Sequence, residues 1–227
     1  LSITNQIASI PLFRGLPAKQ LEKLADIVVD QTFKKGRMIF SEGDDGNGFY
    51  VVITGRVKIF KLSSEGKEQI LHLIGPGEPF GEVPVFAGQS FPANAATITE
   101  SRIFFFPREA FIRLIKQLPD LAMNMLAILS RRLRKFTLLI EDLSLKEVPG
   151  RLSAYLLYLS EIKHGSLDLE LDISKTQLAS LLGTIPETLS RILGKMTRRG
   201  LIQAAGRRIQ LLDPDGLEDL AEAGARL

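Results

Sequence analysis

Glu187, Ser190 and Arg191 stand at i, i+3 and i+4 directly after Pro186. On a helix that spacing puts a carboxylate, a hydroxyl and a guanidinium on one face. Arginine can donate two parallel hydrogen bonds to guanine O6 and N7. Glutamate can accept from a cytosine amino group, and serine can touch a base edge or a thymine methyl. Together the three side chains suit a reader of base edges in a DNA major groove. The plainer alternative is a helical hairpin in which Glu187 favours the helix N-terminus and pairs with Arg191.

The surrounding residues favour the reader. Ser174 with Gln177 three positions later fits a capping box opening a first helix, and Leu178, Leu181 and Leu182 give it a core face. Gly183 permits a tight turn, and Pro186 suits the first turn of the next helix. Leu189, Ile192, Leu193 and Met196 then form the buried side, opposite Glu187 and Arg191. Lys175, Thr176, Arg198 and Arg199 are placed to hold phosphates and set register without reading sequence. Leu201–Gln203 and Ile209–Leu212, around Ala205-Gly206-Arg207, read as a β-hairpin wing.

Charge supports the same reading locally. The 227 residues carry a net charge of only +3. From Glu187 to Arg208, however, six Lys/Arg face one acid, and Asp213, Asp215, Glu218, Asp219 and Glu222 restore the balance afterwards. A local basic stripe on a nearly neutral chain suits a specific DNA binder with modest nonspecific affinity. There is no cysteine, which excludes disulfides, cysteine-ligated iron–sulfur clusters and thiol chemistry within these residues. No apolar run reaches the roughly 18 residues of a membrane span, so a cytoplasmic location without a membrane partner is expected. No nucleophile–base set, metal cluster or phosphate loop stands out, so the chain is not expected to be an enzyme.

Positioning the reading helix requires a larger frame. Residues 1–30 have helical spacing, with Leu21, Leu24, Ile27 and Val28 following Pro17. From Gln31 to Pro107, short runs such as MIF, FYVVI, RVKIF, QILHLI, ATITE and RIFFF alternate with Gly/Pro/Asp/Ser punctuation, the pattern of a sandwich or jelly roll. Arg108–Gln117 is predicted to be a short helix, and Leu118 to Leu145 a long one. In the latter, Ala122, Leu126, Leu129, Leu133, Phe136, Ile140 and Leu143 recur at heptad spacing, a seam for a second copy of the chain. Leu121, Met125, Ile128 and Leu139 form a second stripe that can face the protein's own roll. Lys146–Gly150 breaks the helix with Pro and Gly. The expected fold class is therefore α+β: a sensor roll over 1–117, a dimerisation helix over 118–145 and a winged helix-turn-helix over 146–227.

These motifs resemble the Crp/Fnr family of bacterial transcription regulators over nearly the whole chain. The resemblance is carried by the PLFRGL start, EGDDGNGFYVVITGRVKIF, FGEVPVFAG, the RRL-containing long helix and the winged segment. It implies a cyclic-nucleotide-binding-like roll, a homodimer, an effector pocket between roll and long helix, and a near-palindromic DNA site. If the protein activates transcription, it also implies RNA polymerase as a partner. Glu187, Ser190 and Arg191 match the E-x-x-S-R residues of the Fnr-like branch, which implies TTGA-type half-sites.

The resemblance also frames the effector. Cyclic-nucleotide members carry a Gly-Glu…Arg-Ser phosphate cassette; here Gly81-Glu82 match, but Pro92-Ala93 stand at the Arg-Ser positions. Losing a guanidinium and a hydroxyl removes charge-assisted hydrogen bonds that a buried phosphate requires. The positions that would meet the purine read Phe136 and Thr137, while Arg132 remains as a possible anion holder. Cyclic AMP is therefore not the expected effector. The alternative kept open is a cyclic-nucleotide regulator with an atypical cassette. PGEPFGEVPVFAGQSFPANA, IPETLSR and LLDPDGLEDLA resemble the haem-dependent nitric-oxide regulators of the DNR and HcpR groups, which act in nitrosative stress and anaerobic respiration. That resemblance makes haem the candidate cofactor. His72, expected on one strand face with Ile70 and Ile74 in QILHLIG at a position that the resemblance turns toward the effector pocket, is the candidate axial ligand, and a pocket-lining histidine bonded to backbone is the plainer reading.

Overall fold

The computed structural model describes residues 2–223. The chain divides into two compact units that meet between Leu133 and Arg134.

The first unit opens with α1 (Ile3–Ser9), a 3-10 turn (Pro11–Phe13) and α2 (Ala18–Ile27). Eight strands follow: β1 (Val29–Phe33), β2 (Met38–Phe40), β3 (Gly48–Thr54), β4 (Val57–Leu62), β5 (Glu68–Ile74), β6 (Pro79–Phe80), β7 (Asn94–Thr97) and β8 (Ser101–Pro107). A short helix α3 (Val83–Ala87) lies between β6 and β7, and α4 (Arg108–Gln117) follows β8. The strands form two antiparallel four-stranded sheets ordered β1-β8-β3-β6 and β2-β7-β4-β5. This is the expected roll. β1 and β6 were not legible as strands, and β7 begins two residues before the ATITE run.

The first sheet is covered on both faces, which explains the unbroken apolar run of β8. Phe104 and Phe106, with Phe49 and Val51 of β3, face a core shared with Ile7, Phe13, Leu24 and Phe111 of the helices. Ile103 and Val52 point the other way, into an inter-sheet core with Phe40, Val57, Ile74, Phe80 and Phe91. Successive strand residues point to opposite faces, so a strand with two buried faces must be apolar throughout. The rings interlock: Phe49 lies 4.4 Å from Phe111 and 5.1 Å from Phe106, centroid to centroid. Fully burying one such side chain contributes about 1.5–3 kcal/mol.

The long helix α5 (Pro119–Leu145) starts inside this core. Leu121 and Met125 are buried there, and Ile128 and Leu129 pack against it. Asn124 Nδ2 donates to the carbonyls of Leu12 and Arg14, tying the N-terminal turn to the helix. The expected partition at 118 and 146 is therefore corrected. The helix is not a unit of its own, because its first half belongs to the roll's core. One seam residue, Leu129, is correspondingly engaged by its own subunit. Leu126, Leu133 and Ile140, seven residues apart, are 56%, 68% and 65% exposed.

The second unit continues α5 and adds α6 (Val148–Ile162), β9 (Asp168–Glu170), α7 (Lys175–Leu181), α8 (Pro186–Arg198), β10 (Ile202–Ala205), β11 (Arg208–Leu211) and α9 (Pro214–Ala223). The three strands form one antiparallel sheet ordered β10-β11-β9. The expected wing is the β10–β11 hairpin, and the Leu167–Ile173 run supplies its third strand. No helix among the described residues is long and apolar enough to cross a membrane.

Candidate nucleic-acid interface and effector site

The reading helix is positioned by the turn before it. Ser174 Oγ accepts from the Gln177 N–H at 3.2 Å, and Gln177 Oε1 accepts from the Ser174 N–H at 2.9 Å. This reciprocal cap fixes where α7 begins. After Leu182 the chain turns at Gly183, φ 66°, a left-handed conformation that glycine adopts without a Cβ clash. The Thr184 N–H returns to the Ala179 carbonyl at 2.9 Å, closing the turn. Pro186 then starts α8 at a position where a missing N–H costs nothing.

α8 has two sharply different sides. Leu189, Ile192, Leu193 and Met196 are buried, whereas Glu187, Ser190 and Arg191 are exposed together. Among the described residues Glu187 and Arg191 form no ion pair with each other, so the hairpin alternative loses its one specific interaction. Lys175 and Thr176 are exposed at the start of α7, and Arg198 and Arg199 at the end of α8, where cations also complement the helix dipole. The structure thus places six of the seven predicted DNA-facing residues on α7 and α8, and the seventh, Arg199, at the C-cap of α8.

The predicted effector residues are only partly brought together. Gly81, φ +70°, has Phe40, Phe91 and Tyr50 side chains within 3.1–3.2 Å of where a Cβ would stand, so no other residue fits easily. It delivers Glu82, 7% exposed, to the guanidinium of Arg132 on α5. Arg132 also donates to the Pro79 carbonyl. The expectation that Arg132 is available to an anion is therefore corrected: its charge is already matched by a buried carboxylate.

Pro92 is exposed and Ala93 is buried, so neither position offers a donor side chain. Phe136 is half-buried and Thr137 exposed, one turn beyond Arg132 on the same helix. His72 is half-buried and pairs with Ile59, but a register slip puts Ile70 opposite Phe60 and leaves Leu71 as the extra residue. His72 therefore shares its face with Ile74 and not with Ile70, because the bulge breaks the alternation on which the shared face rested. Ile59 packs against the inter-sheet core. The aromatic wall of that core was missed by sequence reasoning. It includes Tyr50, whose phenol burial pushes above its ordinary pKa, and Phe91, stacked on Phe40 at 3.7 Å. An aromatic residue in a mixed apolar run carries no signal of which cluster it joins.

An antiparallel roll with a long helix on its core, and a winged helix-turn-helix with an exposed polar reading face, define a DNA-binding transcription regulator with a sensor-type domain. Residues 30–118 match the cyclic nucleotide-binding domain family, and residues 150–220 match the Crp-like helix-turn-helix domain family. The chain is 30% identical over 215 residues to the CRP-like cAMP-activated global transcriptional regulator of Mycobacterium tuberculosis, covering 93% of this chain and 96% of that protein. It is 32% identical over 211 residues to the cyclic AMP receptor protein of Thermus thermophilus, with the same coverage of both. The structure of FixK2 from Bradyrhizobium japonicum matches with a TM-score of 0.76 at 25% identity, covering 88% of this chain and all of that one. The chain belongs to the Crp/Fnr family of transcription regulators.

Proposed function

We propose that the protein is a homodimeric regulator that reads a near-palindromic TTGA-type site through Glu187, Ser190 and Arg191, and that its roll responds to an effector other than cyclic AMP. The observation that carries the DNA half is the joint exposure of these three side chains over a fully buried opposite face. Lys175, Thr176, Arg198 and Arg199 hold the backbone in this reading. The dimer forms along Leu126, Leu133 and Ile140, with Phe136 and Leu143 beside them, and RNA polymerase is the further partner if the protein activates. A gel shift with a TTGA palindrome and with the same duplex mutated at guanine tests this half. Equal affinity for the two would sink it.

For the effector, donor-free Pro92-Ala93 and the neutralised Arg132 argue against a buried phosphate. Haem is the lead within this reading, as in the nitric-oxide-responsive groups. His72, the one imidazole of the roll, stands on the face that meets the aromatic inter-sheet core and would be the residue that holds the iron. Bound haem would supply the iron that takes a diatomic gas. Absorbance titration with haemin should give a saturable Soret band that nitric oxide shifts and that His72→Ala loses. A second reading, a cyclic-nucleotide regulator with an atypical cassette, is favoured by the retained Gly81-Glu82 pair and by the two relatives named for cyclic AMP. Calorimetric titration with cyclic AMP decides between them: saturable binding that strengthens DNA affinity would replace the haem reading.

A further inference from the structure

Ile185 breaks two local rules at once. It is the N-cap of α8, with φ −109° and ψ 155°, and its carbonyl accepts from the Leu189 N–H at 3.0 Å. Its side chain makes no capping hydrogen bond. Isoleucine is among the poorest residues at this place, because it offers no oxygen to the free N–H groups of the first turn. The neighbouring α7 is capped in the opposite manner, reciprocally by Ser174 and Gln177. Ile185 is also 49% exposed. Every other large apolar side chain between Ser174 and Arg199 is buried or half-buried. A single exposed isoleucine is ordinary on a protein surface. One that also forfeits a helix cap is not, because departures from local preference concentrate where function requires them.

Gly183, φ 66°, and the Thr184 N–H bonded to the Ala179 carbonyl fix the turn. Ile185 is thereby held at the end of α8 from which the reading face begins. It precedes Glu187 by two residues and Arg191 by six. Six helical residues rise about 9 Å, and successive base pairs lie about 3.4 Å apart. A helix laid along the groove therefore carries Ile185 about two to three base pairs from the base that Arg191 meets. In a TTGA half-site with Arg191 on the guanine, the outer thymine is that far away. Thymine is the base that puts a methyl group on the major-groove edge, and apolar side chains recognise it by contact. A serine or aspartate at this place would cap the helix but set a polar oxygen against that methyl.

We propose that Ile185 reads the C5 methyl of the outer thymine, as a further specificity-determining side chain beside Glu187, Ser190 and Arg191. The inference rests on α8 as the groove helix and on TTGA as its half-site. In the complex, the cap hydrogen bond that α8 lacks is exchanged for apolar burial of the isoleucine against the methyl. The contact carries no charge, so it adds discrimination between bases without adding to the salt-dependent part of binding.

The experiment replaces each thymine of one TTGA half-site in turn by deoxyuridine, which lacks only the C5 methyl. Binding of wild type, Ile185→Val and Ile185→Ser is measured by gel shift. Wild type should bind the duplex altered at the outer thymine about fourfold more weakly, the equivalent of about 0.8 kcal/mol for one buried methyl group. Ile185→Ser should bind the intact duplex more weakly than wild type yet be indifferent to that deoxyuridine, and Ile185→Val should keep part of the sensitivity. Ile185→Ser should also raise the urea midpoint, because serine caps the helix. Weaker DNA binding by a more stable protein is a result that poor folding does not produce. The salt dependence should be the same in all three proteins, since no phosphate contact is lost. Equal sensitivity to the outer deoxyuridine in wild type and Ile185→Ser overturns the proposal. So does a wild type that binds the TTGA duplex but ignores deoxyuridine at that position. A shallower salt dependence in Ile185→Ser overturns it too, by making position 185 a contact of the DNA backbone. A wild type that binds no TTGA duplex would instead remove the half-site reading on which the inference rests.

Discussion

Each key side chain acts through what its neighbours leave it free to do. Arg191 is exposed and unpaired with Glu187, so its guanidinium remains available for a base. Arg191→Ala should lose about 1–3 kcal/mol of specific binding and relax the guanine preference at one position, measured by titrating a panel of single-base variants. Arg132 is the opposite case, with its charge committed to Glu82. Removing one partner of a buried pair leaves the other uncompensated, at about 3–5 kcal/mol when burial is complete. Arg132→Met should therefore lower the urea midpoint more than Glu82→Gln combined with Arg132→Met, and a smaller loss in the single variant would refute the pairing. Tyr50 gives a pH signature. Its folded pKa lies above the ordinary 10.0 because burial disfavours the phenolate. Its contribution is whole below pH 10.0 and is lost as pH rises through the folded value, since the unfolded chain ionises first. Tyr50→Phe should flatten the alkaline fall in stability.

At the scale of elements, caps and turns locate the reading helix and buried faces hold it. The Ser174–Gln177 box fixes the start of α7, and Ser174→Ala should cost about 1 kcal/mol by denaturant unfolding, with little effect on the roll. Gly183 sets the angle between α7 and α8. The roll shows the complementary rule: the apolar run of β8 is intelligible only once both of its faces are seen to be covered. Helix starts at Pro119, Pro186 and the Arg108–Gln117 segment were legible because proline, caps and 3.6-residue spacing are local. β1 and β6 were not, because their exposed or two-residue patterns acquire strand character only by pairing with β8 and β3.

For the whole molecule, the proposed dimer rests on the exposed heptad of α5. Leu133 is 68% exposed, so Leu133→Asp should leave the roll folded yet shift sedimentation from dimer towards monomer. DNA affinity should then fall, because two linked half-sites bind far more tightly than one. Retention of the dimer would reassign the interface to another surface.

The residue order alone determined the fold class, the heptad spacing of α5 and the placing of Glu187, Ser190 and Arg191 on one helix face, because periodicity, capping and turn chemistry act over a few residues. Tertiary structure decided the rest. It showed that Arg132 is occupied by a carboxylate fifty positions away and that a bulge turns Ile70 off the face of His72. Which charges are satisfied, and which are left seeking a partner, depends on contacts that sequence separation does not encode.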